Sequence, residues 1–259
     1  MKTCLVPTSI SVQSGIAKAL WLKSNAGVTL SGVGVTNWLD QSGNNHNFSQ
    51  AAAANQFQFY AQGVVSAKAP VIKPVGGALD NHIDNARFMT SDDALNIVPP
   101  YTVVMCIAGL NFTDNHQDYV LTAGFLNFSI DSRLIGGSRP DCFQPFNTVS
   151  AGTSGGSPNI GICGMAVHPV GFTRNFNCSI TPGGLIGNIG DGGAAANTDS
   201  ALHLLGSNGF AIGGGDTPTA SRYCIIELIV YPQIFSYDGV TWAPADLQTE
   251  CNRLQNAYG

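Results

Sequence analysis

Two unbroken apolar runs stand out along the chain, residues 101–110 (YTVVMCIAGL) and 223–231 (YCIIELIVY). A strand with one wet face alternates, so a continuous run of this length predicts a central strand covered on both faces. Shorter segments surround them. Ala19–Leu22 is the first buried piece, and Gly32 to Gly34 leads into Val35-Thr36-Asn37-Trp38. Asp40 to Asn45 is a dense turn signal, Ala51 to Ala54 could make one helical turn, and Gln56–Tyr60 alternates as a strand. Ala86–Met89 continues the set, and residues 119–123 and 125–130 form a hairpin around Gly124. Ile160–His168, Phe176–Ile180, Leu202–Gly206 and Phe210–Gly215 follow, separated by Gly- and Ser-rich stretches at 151–158 and 183–193. Short strands at a spacing of about 8–12 residues, broken by glycines, predict a sandwich.

The ending changes period. Leu247, Cys251, Leu254 and Tyr258 recur at i, i+4, i+7 and i+11, one stripe of a short helix. Pro244 suits its first turn, Asp246 sits where the dipole favours an acid, and Arg253 falls late. The stripe is expected to pack on the edge of the sandwich.

Composition agrees with an all-β chain. Of 259 residues 44% are hydrophobic and 10% charged, with 31 Gly, 13 Pro and two glutamates, Glu227 and Glu250. Asn, Ser, Thr and Gln must supply the polar surface, which suits a protein packed into an assembly. The net charge of −5 comes with scattered Lys and Arg, so no basic footprint for nucleic acid exists. No apolar run approaches the ~20 residues that cross a bilayer as a helix. The start, Met1-Lys2-Thr3-Cys4-Leu5-Val6-Pro7, lacks an apolar signal-peptide core, so export by a standard route is not expected. Seven widely spaced cysteines contain no C-x-x-C pair and read mainly as free thiols, with Cys106 and Cys224 as small buried hydrophobes. Their disulfide state is left open. The sequons at Asn47, Asn111, Asn127 and Asn177 are what chance produces in a chain this rich in Asn, Ser and Thr.

Three segments carry a family resemblance: the Trp21-Leu22 strand, the Trp38-Leu39-Asp40-Gln41-Ser42-Gly43-Asn44-Asn45 turn, and the tail from Leu202 to Gly259 with Glu227-Leu228-Ile229-Val230-Tyr231 and Ala257-Tyr258-Gly259. Together they resemble the concanavalin A-like (laminin-G-like) jelly-roll family. The resemblance implies an all-β, concanavalin A-like jelly-roll β-sandwich of two antiparallel sheets with a short C-terminal helix. Residues 1–18 would be an arm or edge strand and 19–259 one domain, with an insertion or long loops within 131–200. Trp21 and Trp38 match buried family positions.

Such domains occur in bacteriophage virion proteins (capsid decoration, tail or fibre) and in sugar-binding modules, and they bind more often than they catalyse. The Glu-poor surface favours a non-enzymatic virion protein. It would be made in the host cytoplasm and contact other virion proteins or copies of itself in a homo-oligomer or larger assembly. A glycan-binding, lectin-like module for host-surface recognition is the alternative.

Candidate chemistry is sparse. A retaining glycosidase needs two carboxylates about 5–5.5 Å apart, and the E-x-D-x-x-E run of the family's hydrolases is absent. Glu227 has no acidic neighbour within six residues and is expected to be structural, held by backbone or by a nearby Arg such as Arg222. Gly152-Thr153-Ser154-Gly155-Gly156 matches G-x-S-x-G, but Ser157-Pro158-Asn159 starts no helix. Gly190 to Ala195 matches G-x-G-x-x-A, again with no long helix to receive a phosphate. The five histidines stand too far apart for a zinc motif. Calcium stays open: Asp40 with Asn44, Asp80 with Asp84, and Asp191 could supply oxygens, against the alternative that these residues cap turns. For a sugar or a partner, Tyr237 and Trp242 are the candidate aromatic contacts in the polar loop before the last helix.

Overall fold

The computed structural model describes residues 16–64, 66–73, 88–92, 95, 97, 101–109, 117–123, 126–131, 142–143, 159–167, 171–181, 184–186, 194–197, 210–213, 223–233 and 245–259, with side chains described for a smaller set. The first strands are β1 (Leu20–Lys23), β2 (Val28–Ser31), β3 (Gly34–Trp38), β4 (Phe48–Ser49), β5 (Phe57–Tyr60), β6 (Val71–Lys73) and β7 (Phe88–Ser91). Next come β8 (Tyr101–Gly109), β9 (Gln117–Ala123), β10 (Leu126–Asp131), β11 (Cys142–Phe143), β12 (Asn159–Val167) and β13 (Gly171–Thr181). The last are β14 (Gly184–Ile186), β15 (Ala194–Asn197), β16 (Phe210–Gly213) and β17 (Tyr223–Tyr231), before helix α1 (Ala245–Tyr258).

The chain is an all-β jelly-roll sandwich with a C-terminal helix. In one layer the antiparallel order is β1–β17–β8–β12–β13, with β14 and β15 both paired to β13. The other layer runs β3–β4–β7–β16–β9–β10, with β2 and β5 also on β3. β5 pairs with β6, and β6 meets β17 at Ile72 and Ile225, so the ladder passes from one layer to the other. One pairing departs from the expected pair of antiparallel sheets: β10 and β11 run parallel at Ser129–Cys142 and Ile130–Phe143.

The two apolar runs explain the layering. In β8, Tyr101, Val103, Met105 and Ile107 point into the core between the layers, while Val104, Cys106 and Ala108 point to the opposite face. All seven are fully buried, and a period of two divides them between the faces. β17 does the same until its bulge. Ile225 pairs with Ile107 and Glu227 with Cys106, leaving Ile226 as the extra residue. A bulge shifts the alternation by one position and re-aims the side chains after it. Here it leaves Leu228 and Val230 in the inter-layer core and Ile226, Ile229 and Tyr231 on the opposite face.

Helix α1 covers that opposite face. Leu247, Cys251, Leu254 and Tyr258, the stripe predicted from spacing, pack with Trp21, Cys106, Ile162, Ile226 and Ile229. The expectation that it would cap the sandwich edge is therefore corrected. The runs 101–108 and 224–231 are apolar on both sides, and the face turned away from the inter-layer core needs a cover. The strand pieces expected at Ile160–His168 and Phe176–Ile180 fall in β12 and β13, long strands that pair with each other, β12 also with β8. The expected helical turn is a 3-10 turn over Ala53–Asn55. Residues 1–15 of the expected arm and the Leu202–Gly206 segment lie outside the described residues.

Candidate binding site and a buried carboxylate network

Both glutamates of the chain converge on one arginine. Arg253 Nη2 lies 2.7 Å from Glu227 Oε2 and 2.6 Å from Glu250 Oε1. Its Nε donates to both oxygens of Glu250 at 2.9 and 3.0 Å. Glu227 also accepts from Trp21 Nε1 at 2.9 Å and from the Tyr258 hydroxyl. The glutamate side chains are 1% and 0% exposed and the arginine 14%. Burial opposes ionisation of Glu227. The charge of Arg253 and hydrogen bonds from Arg253, Tyr258 and Trp21 outweigh it and hold the pKa below the usual carboxylate range. Burial also opposes the charge of Arg253, yet its bonds to Glu250 and the nearness of Glu227 push its pKa up. Tyr258 is raised by burial and then by the Glu227 charge.

Cations surround the indole that donates to Glu227. Lys18 Nζ lies 4.6 Å from the Trp21 ring centroid, Lys23 Nζ 4.8 Å, and the Arg253 guanidinium carbon 5.7 Å. Burial lowers the pKa of Lys18, opposed by Glu250 and assisted by Arg253. The result is a compact ionic scaffold that ties α1 to β1 and β17. As expected for Glu227, an arginine holds it: Arg253, 26 residues on, pairs with it, while Arg222 lies outside the described residues. The i,i+3 spacing of Glu250 and Arg253 was the available signal.

Asp40 is equally committed. Its Oδ1 accepts the amides of Trp21 and Ser42 at 2.9 and 2.8 Å, and its Oδ2 accepts the Ser42 hydroxyl at 2.6 Å and the His46 amide at 3.2 Å. The Asn44 amide donates to the carbonyls of Lys18 and Ala19. Asp40 and Asn44 thus organise a turn against β1, the structural alternative to calcium. Asp80, Asp84 and Asp191 lie outside the described residues, as do Tyr237 and Trp242. Among the described residues no group of three or more His, Cys, Asp or Glu is placed to hold a metal ion. Ala194 and Ala195, the end of the G-x-G-x-x-A match, lie in strand β15. Cys106 and Cys224 are buried free thiols, as is Cys251. Burial pushes the Cys224 thiol up to about 12. Trp21 and Trp38 are both buried, and Trp38 Nε1 donates to the Lys23 carbonyl at 2.8 Å.

An open feature lies at the other end of β1. A pocket of about 290 Å³ is lined by Ser24, Asn25, Ala26, Gly27, Val28, Leu30, Phe59 and Pro70. Its wall is the turn between β1 and β2. Gly27 has φ +71°, and a Cβ there would lie 2.8 Å from the Leu39 carbonyl oxygen and 2.5 Å from Gln41 Nε2. Glycine is required for both reasons. Ser24 is spent on structure, its hydroxyl donating to the Pro70 carbonyl at 2.6 Å. Asn25 is exposed, Leu30 is 41% exposed, and Phe59 is half-buried. Sequence reasoning placed Phe59 in a strand without seeing that the β3–β5 pairing carries it to this turn.

The chain matches no family model and no curated protein sequence. Its fold is similar to solved β-sandwich structures. The binding domain of botulinum neurotoxin DC in complex with rat synaptotagmin II matches with a TM-score of 0.51 and 11% identity, over 94% of this chain and 52% of that one. The same domain in complex with SialylT matches with a TM-score of 0.51 and 11% identity, over 92% and 52%. The chain therefore spans about half the length of these neighbours. A Trypanosoma rangeli sialidase in complex with sialic acid gives a TM-score of 0.46 at 15% identity, over 100% of this chain and 36% of that one.

Proposed function

We propose that this chain is a glycan-binding, lectin-like module that holds its ligand without cleaving it. The observation that carries the reading is the commitment of three carboxylates among the described residues. Glu227 and Glu250 are buried on one arginine and Asp40 is saturated by four donors. A glycosidase acid must reach the leaving oxygen, and its partner must face the anomeric carbon or a water. These groups reach neither. The fold supports the reading more loosely: one neighbouring binding domain was solved with SialylT. A place in a phage particle, and partners drawn from one, rest on the family resemblance and on composition, and the glycan-binding reading is preferred to them.

The test is a glycan array probed with the whole chain, alongside release assays on the glycans retained. Retention without release supports the reading. Release of a sugar, or an array with no retained glycan, contradicts it.

A further inference from the structure

The geometry points to the pocket between the β1–β2 turn and β5 as the sugar site, and to a neutral pyranose as its ligand. This rests on the glycan-binding reading above and deepens it. A volume of about 290 Å³ falls at the small end of ligand pockets, room for one terminal ring rather than an extended chain. Three properties select the ring. First, Phe59 and Leu30 offer apolar surface that remains partly exposed in the folded chain. A pyranose presents a patch of C–H groups on one face, which such a surface takes out of water. Second, the exposed Asn25 amide makes no hydrogen bond among the described residues. It carries both a donor and an acceptor, the pair that a sugar hydroxyl uses at once.

Third, no charged residue lines the pocket among the described residues. Lys23 adjoins the turn, but its ammonium is drawn over the Trp21 ring on the helix-covered side of the sheet. A carboxylate-bearing sugar placed here would lose hydration and gain no cation, whereas hydroxyls need only amide and backbone partners. The turn itself is fixed. Gly27 is pinned beneath Leu39 and Gln41, and its carbonyl accepts the Leu39 amide at 2.8 Å. A rigid wall of this kind leaves little ordering cost on binding.

The experiment titrates methyl glucopyranoside, methyl galactopyranoside, their N-acetylamino counterparts and N-acetylneuraminic acid into the whole chain, read by ligand-observed NMR. Phe59→Ala and Asn25→Ala are run beside it, with folding checked by thermal melting. Asn25→Ala changes an exposed turn side chain, so it remains informative should Phe59→Ala fail to fold. A neutral pyranose should bind, and each variant should weaken it at least about tenfold, with no saturable binding of N-acetylneuraminic acid. Neutral binding unchanged in a folded Asn25→Ala overturns the pocket while leaving the glycan-binding reading intact. Binding of the acidic sugar alone overturns the ligand class. Failure of every sugar here, with glycans still retained on the array, overturns the pocket. Failure on both removes the parent reading as well.

Discussion

Arg253→Ala removes the cation that both glutamates share. Glu227 and Glu250 are 1% and 0% exposed, so the variant leaves two carboxylates in the interior without their ion pair. Breaking a buried pair from one side costs about 3–5 kcal/mol, because the remaining charge stays desolvated. For a chain of this size each kcal/mol shifts the melting temperature by about 2–4 °C, so the variant should melt about 6–20 °C lower. The sign of the pH dependence is a sharper test. In the wild type Glu227 has a depressed pKa. Its contribution is present above the ordinary carboxylate pKa of about 4.3 and is lost as pH falls through the folded value. With Arg253 gone, burial dominates and raises the Glu227 pKa, so the variant should gain stability as pH falls from neutral toward 5. Urea denaturation followed by circular dichroism at pH 7, 6 and 5 measures both effects. A variant within about 1 kcal/mol of wild type at pH 7, or one with the wild-type pH slope, refutes the network as described.

Tyr258→Phe removes one hydrogen bond to a charged acceptor and should cost about 1.5–3 kcal/mol in the same denaturation assay. The folded phenol is raised above its ordinary pKa, so its contribution is intact below about pH 10 and lost above it; the variant should lose that alkaline slope. Asp40→Ala strands the donors of Trp21, Ser42 and His46 and should cost about 2–3 kcal/mol, while calcium and a chelator should leave the wild-type melting temperature equal. Gly27→Ala meets both a positive φ and the Leu39 carbonyl, and should destabilise by more than about 1 kcal/mol.

Much of the framework was legible because it is periodic. An unbroken run such as Tyr101–Ala108 announces burial on both faces, and the i, i+4, i+7, i+11 stripe announces a one-sided helix. Neither says which surface meets which. The helix was assigned to an edge, yet the face holding Val104, Cys106 and Ile229 needed a cover and lay within reach. The partner of Glu227 was hidden for the same reason. Arg253 lies 26 residues away in sequence, and a bulge in β17 and the docking of α1 bring it to Glu227. Asp40 was readable as a turn residue, but the turn's tie to β1 runs through Trp21, 19 residues earlier. The pocket was invisible because its lining comes from three segments, residues 24–30, Phe59 and Pro70, that strand pairing brings together.

The central claim is that the glutamates hold the fold while the sugar is bound elsewhere. Glu227→Gln, measured for melting temperature and for retention of the best array glycan below that temperature, separates the two roles. The account predicts a lowered melting temperature with wild-type retention. An unchanged melting temperature with retention abolished would place the chemistry at Glu227 and contradict it.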